Sequence, residues 1–269
     1  MKKIILGIFI LLSVLSFSES EKEGKESKYK FSLGTMVGHG SKLYKVEKDK
    51  LNYIPFISLE SEDLYIRGTE FGYKHRLNSR LVLTGFSQLF GGIQLQGVGG
   101  AIGAVQLDNS DMEDGYKGIN DRDTQVEIGL KLGYDTEFND IKLLGELRGG
   151  KRGGAGKISA IRSYKITNKF FIVPQISLSL LDKNMVDYYF GISEGEVNDP
   201  RNTKINKAYN INKFAYASAI GASTSYNFTP KWSVFGLAEL QYVSDEIGDS
   251  PIVDNRVNYF VSLGIKYNF

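Results

Sequence analysis

The chain has 269 residues, with 33 Lys and Arg against 31 Asp and Glu and no cysteine. That near-balance excludes the basic excess of a nucleic-acid binder, and the missing thiols exclude disulfides and thiolate metal sites. Its 30 Gly, 16 Tyr and 16 Phe are distributed in short alternating segments. Beyond the N-terminus no apolar run approaches the roughly 20 residues that a spanning helix needs.

In chain order, Lys2 and Lys3 precede an apolar run from Ile4 to Leu15 and then Ser16-Phe17-Ser18. This pattern predicts a secretory signal peptide over residues 1–18, cut before Glu19. Without Lys2 and Lys3 the basic and acidic counts are equal at 31. Residues 19–28 read as a charged periplasmic tail, and residues 29–269 as one folded unit. Side chains of a strand point to alternate faces, so period-two hydrophobicity marks strands. Such segments fall at 29–37, 52–60, 64–73, 80–90, 124–135, 141–148, 157–166, 170–180, 214–228, 232–242 and 259–269. The clearest is Thr124–Asp135, where Val126, Ile128, Leu130, Leu132 and Tyr134 oppose Gln125, Glu127, Gly129, Lys131 and Gly133. An exported chain with no spanning helix and repeated two-faced strands has one way to satisfy its backbone in lipid, a closed barrel. The expected fold class is therefore all-β, a transmembrane antiparallel β-barrel of the bacterial outer membrane.

Eleven segments are legible, and termini on the same side require an even number. A twelfth strand is expected at Ala101–Leu107, giving twelve strands, with ten as the alternative. Within 157–166, Arg162 shares the apolar face of Ile158, Tyr164 and Ile166, so it must snorkel, meet a headgroup or sit at a bulge. Pro174 lacks an amide donor and predicts a local irregularity. Short links at 136–138, 167–168 and 229–230 are expected on the periplasmic side. Long ones at 97–123, 181–213 and 243–255 belong on the extracellular side. Tyr134, Phe138, Phe170, Phe171, Tyr226, Phe228, Trp232, Tyr267 and Phe269 crowd the short-turn ends, as an interfacial aromatic girdle would.

Little in the chain suggests catalysis, and no cofactor, metal site or catalytic residue is expected. His39 is expected to open a loop beside Ser41 and would need an orienting carboxylate to serve a nucleophile. His75, between Lys74 and Arg76, reads as a solvated base at a strand end. Gly149–Lys157 fails as a phosphate loop, because Lys151 and Ile158 stand where glycine and Ser or Thr are required. It reads as a flexible surface loop in which Lys151 and Arg152 meet lipopolysaccharide phosphates. Asp108–Asp114 lacks calcium-loop spacing and reads as a solvated extracellular loop. Gln125, Glu127, Lys131, Ser223 and Ser225 are expected to line the lumen.

The last strand carries Val261, Leu263, Ile265, Tyr267 and Phe269 on one face. It resembles the closing strand of outer-membrane barrels, which implies recognition by the barrel-assembly machinery. Further segments carry a family resemblance: Ile54-Pro55-Phe56-Ile57, Asp121-Arg122 followed by Glu127-Ile128-Gly129, Tyr188-Tyr189-Phe190-Gly191-Ile192-Ser193, and Asp249-Ser250-Pro251-Ile252. Together, from about Tyr29 to Phe269, they resemble the MltA-interacting protein / OmpV family. Tyr188, Tyr189, Gly191, Ser193, Asp249, Ser250 and Pro251 are the most specific of these positions, whereas the basic loop at Lys151-Arg152 departs from the family. The resemblance implies a non-enzymatic scaffold for a murein hydrolase and synthase in the outer membrane, in contact with lipid and lipopolysaccharide. A porin-like channel and a surface adhesin are the alternatives.

Overall fold

Period-two alternation between Gln125 and Asp135 produces a strand with Ile128 69% exposed on one side and Glu127 fully buried on the other. Apolar side chains face outward in the same way on every strand. The computed structural model describes residues 29–47, 52–91 and 106–269. The expected signal peptide and tail, and residues 101–105 of the expected Ala101–Leu107 strand, lie outside the described residues.

The strands are β1 (Lys30–Gly40), β2 (Asn52–Glu60), β3 (Leu64–Arg67), β4 (Glu70–Arg76), β5 (Leu81–Gly91) and β6 (Gln125–Asp135). They continue as β7 (Ile141–Gly150), β8 (Gly153–Arg162, resuming at Tyr164–Lys165), β9 (Phe170–Leu181), β10 (Ala215–Asn227), β11 (Trp232–Val243) and β12 (Val257–Asn268). Each pairs antiparallel with its neighbours in sequence, and β12 returns to β1 with Tyr267 opposite Leu33. The result is a closed twelve-stranded barrel, which leaves no sheet edge for lipid to meet.

The count of twelve is met, but the twelfth strand is not where it was expected. The segment 64–73 is two strands: β3 and β4 form a hairpin about Gly68 and Thr69, with Gly68 at φ 58°. A positive φ is open to glycine and strained for most side chains, so Gly68 fixes the turn. Gly149–Lys157 is likewise not a flexible loop. Gly149 and Gly150 end β7, Lys151 and Arg152 make a tight turn, and Gly153 at φ 119° opens β8. Opposite Pro174 the ladder from β9 to β8 is interrupted at 162–163 and then resumes in the same register, Gln175 facing Ile161 and Ile172 facing Tyr164. The irregularity is thus a missing donor rather than a bulge, and Arg162 lies over the Tyr164 ring at 4.4 Å. His39 lies within β1 rather than opening a loop.

The turns at 136–140, 166–169 and 228–231 are short and share one rim with Trp232, Tyr267, Phe269 and Phe31. Their rings stack in series, with Trp232 and Tyr267 at 4.9 Å, Tyr267 and Phe269 at 4.8 Å and Phe269 and Phe31 at 5.0 Å. The long connections gather at the other rim, the extracellular one in outer-membrane barrels. There α1 (Lys183–Phe190), α2 (Glu194–Val197) and α3 (Asp245–Gly248) pack with residues 41–47 and 106–124.

Candidate functional site

The long-loop rim carries a folded cap with its own hydrophobic core. Met112, Ile119, Val186, Tyr189, Phe190, Ile247 and Ile252 are fully buried, and they come from separate connections. Burial of each such side chain contributes about 1.5–3 kcal/mol, so these loops form a fixed lid rather than loose strands of chain. Asp182 caps α1 by accepting from the Met185 amide. Ser193 and Glu196 form a capping box on α2, satisfying two amides that the helix start would leave unpaired.

One ion pair sits at the centre of the cap. Arg122 donates to Glu196 Oε1 at 2.8 Å, to the Gly191 carbonyl at 3.0 Å and to the Asn120 carbonyl at 3.0 Å. Glu196 also accepts from the amides of Ser193 and Asn120 at 2.8 and 2.9 Å. Burial raises the Glu196 carboxyl, but these amides and the guanidinium outweigh it and hold the group below its ordinary value. Tyr44, fully buried, donates to the Tyr189 carbonyl at 3.0 Å, and burial drives its phenol well above the ordinary range.

Below the cap the lumen is crossed by charge. Glu127 meets Arg148 at 2.5 Å and accepts from Gln125 at 2.8 Å; Arg148 reaches Glu146 at 3.1 Å. Lys131 then joins Glu146 at 3.6 Å to Glu70 at 2.6 Å, and Tyr65 donates to Glu70 at 2.5 Å. Gly72 makes room for that tyrosine, since a Cβ there would lie 2.4 Å from its ring. On the lumen wall from β11 through β12 and β1 to β2, Met36 and Phe260 pack on Ile54, Phe235 and Leu237 instead. The interior thus carries a salt-bridged lattice on β3 to β7 and an apolar strip from β11 to β2.

The residues singled out from the sequence fall into separate places. Tyr188, Tyr189, Gly191, Ser193, Asp249, Ser250 and Pro251 are brought together in the cap. Tyr188 accepts from the Asp123 amide, Tyr189 donates to the Asp123 carbonyl, Ser250 donates to the Phe190 carbonyl, and the Pro251 carbonyl accepts from Lys45. Asp249 pairs with Arg256. These side chains and carbonyls hold the lid together. Val261, Leu263, Ile265, Tyr267 and Phe269 face outward on β12, far from the cap. Among the described residues the His39 ring meets Tyr259, at 3.3 Å, and His75 is exposed. Asp108–Asp114 is more than a solvated loop, because Met112 is fully buried and bridges Val46. Among the described residues no group of three or more His, Cys, Asp or Glu is placed to hold a metal. Arg152 is drawn from the solvent onto the Tyr188 ring at 4.0 Å. Sequence reading missed Arg148, Glu70 and Tyr44, and passed over Glu196. Only the last carries a local signal, the Ser193-x-x-Glu196 spacing of a capping box.

The family described as MltA-interacting protein MipA matches residues 33–269. A 24 kDa outer membrane protein of Pasteurella multocida is 30% identical over 247 residues, covering 88% of this chain and 90% of that one. The MltA-interacting protein of Escherichia coli is 27% identical over 275 residues, covering 100% of this chain and 99% of its own. Among solved structures, the translocator domain of autotransporter NalP from Neisseria meningitidis aligns with a TM-score of 0.46 and 11% identity, covering 100% of this chain and 98% of that one.

Proposed function

Since the chain belongs to the MltA-interacting protein family of outer-membrane β-barrels, we propose that it is a non-enzymatic scaffold holding murein hydrolases or synthases at the inner face of the outer membrane. The observation that carries this reading is the lid. A barrel whose outer connections pack into one hydrophobic core, with a salt-bridged lattice beneath it, favours presenting surfaces over passing solutes. The name of the Escherichia coli relative supplies the class of partner.

The same reading gives the outer and inner faces different tasks. The outward row Val261, Leu263, Ile265, Tyr267 and Phe269 serves assembly by the barrel machinery, and exposed Lys151 meets lipopolysaccharide phosphates. Two measurements test the proposal together. Immobilised chain in detergent is expected to retain murein hydrolases or synthases from solubilised envelope, and planar-bilayer recordings are expected to lack discrete conductance. Retention at background levels sinks the scaffold, and steady unitary currents favour a channel instead.

A further inference from the structure

The short-turn rim is divided by charge. The stretches 157–181, 214–238 and 257–269 contain Lys157, Arg162, Lys165, Lys169, Lys231 and Lys266 but no Asp or Glu. In the barrel these stretches are adjacent, forming β8 to β12 in unbroken order. Their turns are tied edge to edge, with the Asn227 amide on the Lys169 carbonyl at 2.9 Å and the Asn268 amide on the Lys231 carbonyl at 2.7 Å. Around the rest of the rim carboxylates stand among the cations and pair with several of them, although Lys30 and Arg76 have no such partner among the described residues. Glu60 takes both Arg67 at 2.8 Å and Lys74 at 2.6 Å, Glu137 takes Arg80, and Asp135 takes Lys142 at 3.5 Å. Among the described residues, Arg162, Lys165, Lys169 and Lys231 have no such partner.

We infer that this cationic arc is a docking surface for an acidic segment of a periplasmic protein. The inference rests on the scaffold reading and gives it a face and a chemistry. Unmatched like charges repel one another and create a field that draws in the opposite sign. Their direction selects the occupant. Lys165 alternates with outward-facing Tyr164 and Ile166 and is set towards water rather than lipid. Arg162, on the lipid-facing side, is placed for a headgroup, and Lys231, in the turn before β11, lies over the Tyr267 ring at 5.9 Å. The spread selects a polymer. From Lys165 on β8 to Lys231 at the foot of β11 is three strand spacings, or roughly 15 Å at about 4.8 Å per strand, too far for one small anion to bridge.

The test uses the full chain in phosphatidylcholine nanodiscs and a fluorescent oligoglutamate of about ten residues, long enough when extended to cross the arc. Anisotropy is expected to report binding that falls with added salt and exceeds that of a Gly-Ser peptide of equal length. The combined variant K165Q/K169Q/K231Q is expected to weaken binding by about tenfold or more. Its K165R/K169R/K231R counterpart retains binding, and K183Q/K204Q/K207Q on the cap leaves it unchanged. Unboiled gel mobility verifies that each variant has formed its barrel. Oligoglutamate binding no better than Gly-Ser, or binding indifferent to the three glutamines, overturns the inference. So does a triple variant that loses retained phosphatidylglycerol by native mass spectrometry while binding peptide normally, since the arc is then a headgroup site. Peptide binding together with an empty murein-enzyme pull-down leaves the surface standing and removes the scaffold.

Discussion

Arg122 and Glu196 have side chains only 6% and 5% exposed, and removing one strands the other in the cap core. Breaking a buried pair costs about 3–5 kcal/mol. Arg122→Ala is therefore expected to loosen the lid while leaving the barrel closed, read as faster proteolysis within residues 182–214 with unchanged heat-modifiable mobility. The same pair sets a pH dependence. Glu196 is held below the carboxylate value of about 4.3 that it has in an unfolded chain, so its contribution is complete above that value. It is lost as pH falls through the lowered folded one. Cap protection is expected to drop on acidification below about pH 4, and Glu196→Gln is expected to flatten that drop; an unchanged profile in the variant would place the acid sensitivity elsewhere. Little of this was legible in the sequence. The capping box has local spacing, but Arg122 lies 74 residues from its carboxylate, and no periodicity links positions that meet only after the barrel has closed.

Strands were legible to the extent that lipid imposes alternation on each of them. The β3–β4 hairpin escaped because its strands are short and alternation resumes directly after Arg67-Gly68-Thr69-Glu70. Leu64 and Ile66 point outward on even positions, Phe71 and Tyr73 on odd ones, and this change of phase at Gly68-Thr69 is the mark of the turn. Gly68→Val should cost about 1–2 kcal/mol by forcing a branched side chain to positive φ. The expected readout is a lower temperature for conversion of the folded band on gels, and an unaltered conversion would mean the turn relaxes. At the other end of the sheet, Phe269 is 71% exposed yet stacked on Tyr267 and Phe31. Its place in the proposed assembly row predicts that Phe269→Ala lowers the folded, membrane-inserted fraction in cells more than it lowers the stability of protein refolded in detergent. Equal losses in both would make Phe269 a packing residue only. Pro174 teaches a smaller lesson: the missing donor was readable, but the unshifted register was not, because β8 is also held from its other side by β7.

For the whole molecule, the closed barrel was legible from the expected export signal, the alternation and the want of a long apolar run after residue 18, whereas the lid was not. Its core draws on several connections, each of which looks like an ordinary polar loop with scattered apolar residues. Those residues acquire meaning only when the rim holds them together. The seam between β1 and β12 then gains a temporal consequence. Directly above it, the Asp254 amide bonds the Leu43 carbonyl at 2.8 Å and the Lys45 amide bonds the Ile252 carbonyl at 3.0 Å, while Ser41 meets Asn258 across 217 residues of sequence. Contacts this distant in the chain form late, since the intervening loop entropy must first be overcome. The lid thus acts as a latch on the seam: parting β1 from β12 at this rim also requires undoing the contacts of residues 41–45 with 252–258 and the hydrophobic core they join.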